Sequence, residues 1–242
     1  MDVFSYNNIF ETKGIEYLVV IAFLALLVPF WITLNKKIKI PGQLQKGLGI
    51  LTARTLKIPQ GIFYDRSHTW AHLEMSGIAR VGIDDLLLHI TGAVSFSQLK
   101  KPGEKIKKGD LMAEIEHQGK TLRIFSPVSG EILAMNALLT DNPELLSEDP
   151  YLRGWMYKVK PTRWIAETNS YYMAEDATNW MGIELERFKD FLSGSASRFL
   201  PESAGLVLQD GGELTDHILS DLPVEVWQSF QEDFLNHTDA PK

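Results

Sequence analysis

The chain has 242 residues and a mass of 27.4 kDa, which is room for one large or two small domains. Hydrophobic residues make up 45% and charged residues 23%, too apolar a balance for wholesale disorder. No cysteine is present, which excludes disulfide staples, thiol nucleophiles, cysteine-ligated zinc and iron–sulfur ligation by this chain. The net charge of −7 is uneven: residues 1–163 carry 20 basic and 16 acidic side chains, residues 164–242 carry 4 and 15. So acidic a C-terminal third argues against nucleic acid as a partner.

The first element is an apolar run, residues 17–35, YLVVIAFLALLVPFWITLN, without a charge. As a helix its 19 residues would extend about 28 Å, close to the roughly 30 Å of a hydrocarbon core. Tyr17 and Trp31 lie near its ends, where amphipathic rings favour the interface. Asp2, Glu11, Lys13 and Glu16 precede it, and Lys36, Lys37, Lys39 and Lys46 follow. This predicts a single transmembrane helix within an N-terminal segment 1–37, with the N-terminus outside and the C-terminal bulk in the cytoplasm, at a bacterial inner membrane. The acidic start and the absence of a small-residue cut site argue against a cleaved signal peptide.

Residues 38–57 read as a linker with a strand-like end. From about Lys57 short apolar runs alternate with Gly- and Pro-containing turns, including IARVGI, LMAEIE, TLRIFSP and GWMYKVK. Strands at about ten-residue spacing predict a small sandwich or barrel. Two short helices interrupt it, residues 83–90 with Asp84 as a cap and roughly 136–148 around Pro143.

Five segments in this stretch, IPQGIFYDRSHTW (58–70), VGIDD (81–85), PGEKIKKGD (102–110), SPVSGEI (126–132) and DNPELLSEDPYLRGWMYKVK (141–160), resemble the glycine cleavage system H protein, a lipoyl-carrier domain. The resemblance covers residues 58–163 and implies a mainly-β barrel-sandwich hybrid with small helices at one end. It also implies a function resting on one lysine at a β-hairpin tip. That lysine carries lipoate, whose dithiolane shuttles an aminomethyl group between three partner enzymes; the chemistry belongs to the cofactor.

The family pattern places the acceptor three residues after a Glu and seven before a Ser-Pro-Val-Ser-Gly element. Here the run reads Glu116-His117-Gln118-Gly119-Lys120, and the frame puts Gly119 at the acceptor position. Two readings follow. Either Lys120 substitutes by a one-residue slip, which carries a strand side chain to the opposite face, or Gly119 makes a compact turn and Lys120 is a solvated hairpin residue. The second is preferred, because the family's acidic residue in a Leu-Gly-Asp-Ile-Val-like element is also missing from Thr91-Gly92-Ala93-Val94-Ser95.

Residues 164–242 lie outside the resemblance and predict an acidic, α-helical extension. One amphipathic helix is expected over 171–193, stopped by Gly194, then a short strand at 206–208 and a second helix opened by Asp221-Leu222-Pro223. These helices carry Trp180, Phe188, Phe191, Trp227, Phe230 and Phe234. The aromatics either pack within the chain or dock a partner protein inside an acidic rim. Spacing of the six histidines suggests no metal site. No catalytic constellation or phosphate loop is legible.

The expectation is thus a non-enzymatic, membrane-anchored accessory subunit without a cofactor. It would act as a scaffold or adaptor for other protein subunits in a membrane-associated complex, a redox complex being one candidate, and touch lipid through one helix. The alternative is a working lipoyl carrier of glycine cleavage modified on Lys120.

Overall fold

In the computed structural model, residues 9–35, 50–199 and 214–236 are described. They fall into two units, residues 1–41 and 42–242. The first contributes one helix, α1 (Ile9–Asn35), with Pro29 inside it. The transmembrane helix expected here is corrected: among the described residues no helix is long and apolar enough to cross a membrane. The expected contact with membrane lipid and the single-pass location with its cytoplasmic C-terminal domain lose their basis with it.

The second unit is built on the expected β architecture. A six-stranded antiparallel sheet runs in the order β2 (Phe63–Tyr64), β3 (Thr69–Leu73), β4 (Ala79–Ile83), β10 (Tyr157–Pro161), β9 (Gly130–Met135), β6 (Lys105–Ile106). A three-stranded sheet runs β5 (Ser95–Gln98), β7 (Leu111–His117), β8 (Lys120–Phe125). Their inward residues, among them Val81, Ile83, Ile115, Leu122, Ile124, Ile132 and Val159, are buried, as period-2 alternation requires, and Trp70, paired with Gly82, is buried on the other face of the larger sheet. Gly82 is required by that packing: a Cβ there would lie 2.7 Å from the Trp70 indole, whose Nε1–H donates to the Ile83 carbonyl.

Between β4 and β5 stands α2 (Asp85–Thr91), capped by the Asp84 carboxylate, which accepts from Leu87 N at 2.9 Å. The helix expected around Pro143 is two single turns, α3 (Leu138–Asp141) and α4 (Leu145–Glu148). Pro143 separates them because it supplies no N–H to continue the first.

The short α5 (Trp164–Thr168) leads to the long α6 (Ala174–Phe199). This helix starts later than the expected 171 because Tyr172 still pairs with Tyr64 as extended chain, each N–H donating to the other's carbonyl. It also runs through Gly194, since one glycine costs a helix only about 1 kcal/mol. The strand expected at 206–208 lies outside the described residues. Then β11 (Leu214–Thr215) pairs antiparallel with β1 (Ile50–Leu51). A 3-10 turn (Ile218–Asp221), α7 (Val224–Ser229) and a π-helical turn (Phe230–Leu235) complete the described chain.

Candidate functional site

Strands β7 and β8 form a hairpin closed by two residues, Gln118 and Gly119, with φ of 50° and 81°. Two successive positive φ values match the twist of a tight hairpin, and glycine reaches them at least cost. The Glu116 carboxylate accepts from the Gly119 N–H at 3.2 Å and steadies the turn. A Cβ added at Gly119 would meet nothing within 4 Å, so this position faces open space.

Lys120 is the first residue of β8, paired with His117. Along β8, Leu122 and Ile124 are buried while Thr121 and Arg123 are exposed, and alternation puts Lys120 on the buried face. The solvated lysine expected here is therefore corrected. Lys120 is half-buried, and its Nζ donates to the carbonyls of Ser220 at 2.5 Å and Leu222 at 3.1 Å. The Trp227 ring lies 5.3 Å from the amine, within cation–π range. His117 stacks on the same indole, centroid to centroid 6.2 Å, and its Nδ1–H donates to Ala93 O at 2.6 Å.

The C-terminal segment that supplies these carbonyls is fastened at several points. Trp227 Nε1–H donates to Leu219 O at 2.7 Å and holds the 3-10 turn. Gln231 Oε1 accepts from the Arg123 N–H at 2.6 Å, satisfying a donor of β8 on its outer edge. His217 N–H donates to His89 O at 2.7 Å. The His89 imidazole lies between Asp216 (2.8 Å) and Asp85 (3.4 Å). Burial would lower the His89 pKa, but Asp85 and then Asp216 outweigh it and raise it.

A second cluster escaped the reading of the histidines. The loop between β2 and β3 turns at His68 (φ 58°) and sends its ring inward, fully buried. Nδ1 lies 2.8 Å from Asp84 and Nε2 3.5 Å from Glu184 on α6. Trp180 and Phe234 stack on the ring, at 5.3 and 5.5 Å between centroids. Burial alone would depress this imidazole, but Asp84 and Glu184 outweigh it and push its pKa up to about 9. Glu184 also accepts from Arg187 and from Trp180 Nε1–H. Burial would raise its carboxyl, yet His68 and Arg187 bring it down to about 2. Only the Asp84 cap was legible in sequence; Glu184 reaches His68 through tertiary packing alone.

Of the six aromatics considered for docking, Trp180, Phe188, Trp227, Phe230 and Phe234 are buried in the chain's own core and Phe191 packs against it. Phe188, Phe191, Phe230 and Phe234 form one ring cluster.

The glycine cleavage H-protein family model matches residues 62–182, half the chain, from the strand before His68 into α6. The chain belongs to the glycine cleavage H-protein family. It is 39% identical over 106 residues to the probable glycine cleavage system H protein of Thermococcus kodakarensis, covering 44% of this chain and 78% of that one. It is 34% identical over 122 residues to the glycine cleavage system H protein of Psychrobacter cryohalolentis, covering 50% and 96%. A crystal structure of the H protein from Mycobacterium marinum aligns with 28% identity and a TM-score of 0.46, over 52% of this chain and 99% of that one. Membership in the H-protein family corrects the expectation of a cofactor-free domain. That expectation followed from Gly119 in the acceptor frame, whereas the tight two-residue turn puts a lysine amine immediately beyond the hairpin tip.

Proposed function

We propose that this chain is a lipoyl carrier of the H-protein kind, not itself a catalyst, with Lys120 as the acceptor. The carrying observation is the placement of Lys120 at the end of a two-residue β-hairpin, within the family match. The donor chemistry fits, since a primary amine is what an amide-linked acyl group requires. When attached, the lipoyl group would supply the reversible dithiolane chemistry. The chain supplies the rest. Glu116 and Gly119 hold the turn, His117 packs the Trp227 indole beneath it, and the β sandwich keeps the hairpin rigid. The partners are then the other protein subunits of a glycine-cleaving system, which the hairpin would visit in turn.

Co-expression with a lipoate ligase, followed by intact-mass measurement, tests the reading. One lipoyl adduct per chain is expected, absent in Lys120→Arg. An unmodified mass under conditions that lipoylate a control H protein would sink it.

A second reading, a scaffold subunit for a protein complex, is favoured by one observation: the Lys120 amine is already engaged by two backbone carbonyls. In that case Gly119 replaces the acceptor and the hairpin is a docking surface. Gly119→Lys separates the two, because its side chain would enter open space. Lipoylation of Gly119→Lys but never of the natural chain supports the scaffold.

A further inference from the structure

We infer that residues 214–236 are a built-in cover for the Lys120 amine, which must lift before that amine can be acylated. The inference rests on the carrier reading and adds regulation to its site. The Lys120 Nζ points at two carbonyls of the segment, Ser220 O and Leu222 O, and lies over the indole of a third residue in it, Trp227. Acylation forms an Nζ–C amide bond, the amine gives up a proton and the activated acyl donor loses its leaving group. The attacking nitrogen needs an open approach, and here its N–H groups are directed into the segment. The one-residue slip explains why the cover can work: a side chain at 119 would face open space, whereas Lys120 shares the inward face of Leu122 and Ile124 and, with its pair His117, meets the segment at Trp227.

The segment is built as a detachable unit. Its polar fastenings to the β module are separate from one another: the two-residue pairing of β11 with β1, the Asp216–His89 contact, the His217 bond to His89 O, the Gln231–Arg123 bond and the Lys120 contact itself, while Leu214, Leu219, Leu222, Val226 and Trp227 are buried beneath them. Phe230 and Phe234 anchor its far end against Phe188 of α6. A segment joined to the sheets by a two-residue pairing can open as a local unit while the longer ladder of β7 and β8 stays closed. The ligase that modifies Lys120, or a partner that receives its cargo, would have to displace it.

Amine labelling of the full chain provides the test. The native protein is treated with a water-soluble N-hydroxysuccinimide acetate, and the rates at Lys120 and at the exposed Lys107 are compared by peptide mass spectrometry. Lys120 is expected to react at least about 10-fold more slowly, because local opening limits access. The double variant Asp216→Asn/Gln231→Ala is expected to speed Lys120 about 3-fold or more and leave Lys107 unchanged. Equal rates in the native chain, or an unchanged Lys120 rate in the double variant, overturn the inference. Lipoylation by a ligase is read in parallel. Shielding relieved in the variant with no lipoyl group on either protein leaves the cover standing and removes the carrier. Lipoylation of both proteins at one rate keeps the carrier and removes the cover.

Discussion

In the β sandwich the polar groups are spent along strand ladders and the interior is filled by Ile, Leu, Val and Trp70, whereas the C-terminal helices are seated through a charged imidazole, a carboxylate, a guanidinium and a set of stacked rings. The first kind of core depends on apolar area and is indifferent to pH. The second depends on which groups carry protons, because a buried charge is tolerated only while its partner is charged. The sandwich is thus a fixed frame, and the C-terminal segment is an attachment whose hold can be adjusted one contact at a time.

The largest break in this comparison comes from Trp227→Ala. It removes a buried indole, its bond to Leu219 and the ring against Lys120. A loss of about 3–5 kcal/mol is expected in urea unfolding, with native β-sheet circular dichroism retained below the lowered midpoint. Loss of the β signal together with the tail signal would show that the two regions are one cooperative unit.

Next comes Glu184→Gln, which leaves the His68 imidazolium facing Asp84 alone. Removing one partner of a buried pair costs about 3 kcal/mol. The pH profile should change with it. The folded His68 pKa, about 9, lies above its unfolded value near 6.5, so its stabilisation is complete below about pH 6.5 and fades as pH rises through 9. The folded Glu184 pKa, about 2, lies below its unfolded value of 4.5. Its stabilisation is present above about pH 4.5 and fades as pH falls toward 2. Urea midpoints of the natural chain should therefore be highest near pH 4.5–6.5 as far as this pair is concerned, and both slopes should flatten in Glu184→Gln. Identical slopes in the two proteins would remove the pair from the account.

The smallest effect is expected from Asp216→Asn, a partly exposed contact to His89. A loss within about 1 kcal/mol is expected, read as faster amide exchange over 214–222 with exchange in β3 and β4 unchanged.

The two regions also differed in how far the sequence revealed them. The sandwich was legible because its information is local: alternation in β8, the Asp84 cap of α2 and the turn at Gly119 each act within a few residues. The acidic tail was legible as helices but not in its bounds. Tyr172 is held extended by Tyr64, and the π-helical turn at Phe230–Leu235 departs from the expected helical spacing. The hairpin was read correctly as a tight turn, but the fate of Lys120 was not, since Ser220 and Leu222 contact it through backbone carbonyls, which carry no side-chain signature. The charge-free run at 17–35 was over-read as a membrane span.

Site-resolved mass spectrometry on the chain co-produced with lipoate ligase tests the central claim most directly. The account predicts that the peptide containing Lys120 carries a single lipoyl group, and that Lys120→Arg abolishes it. A fully ligase-exposed chain with Lys120 unmodified, in the presence of a lipoylated control H protein, would contradict it.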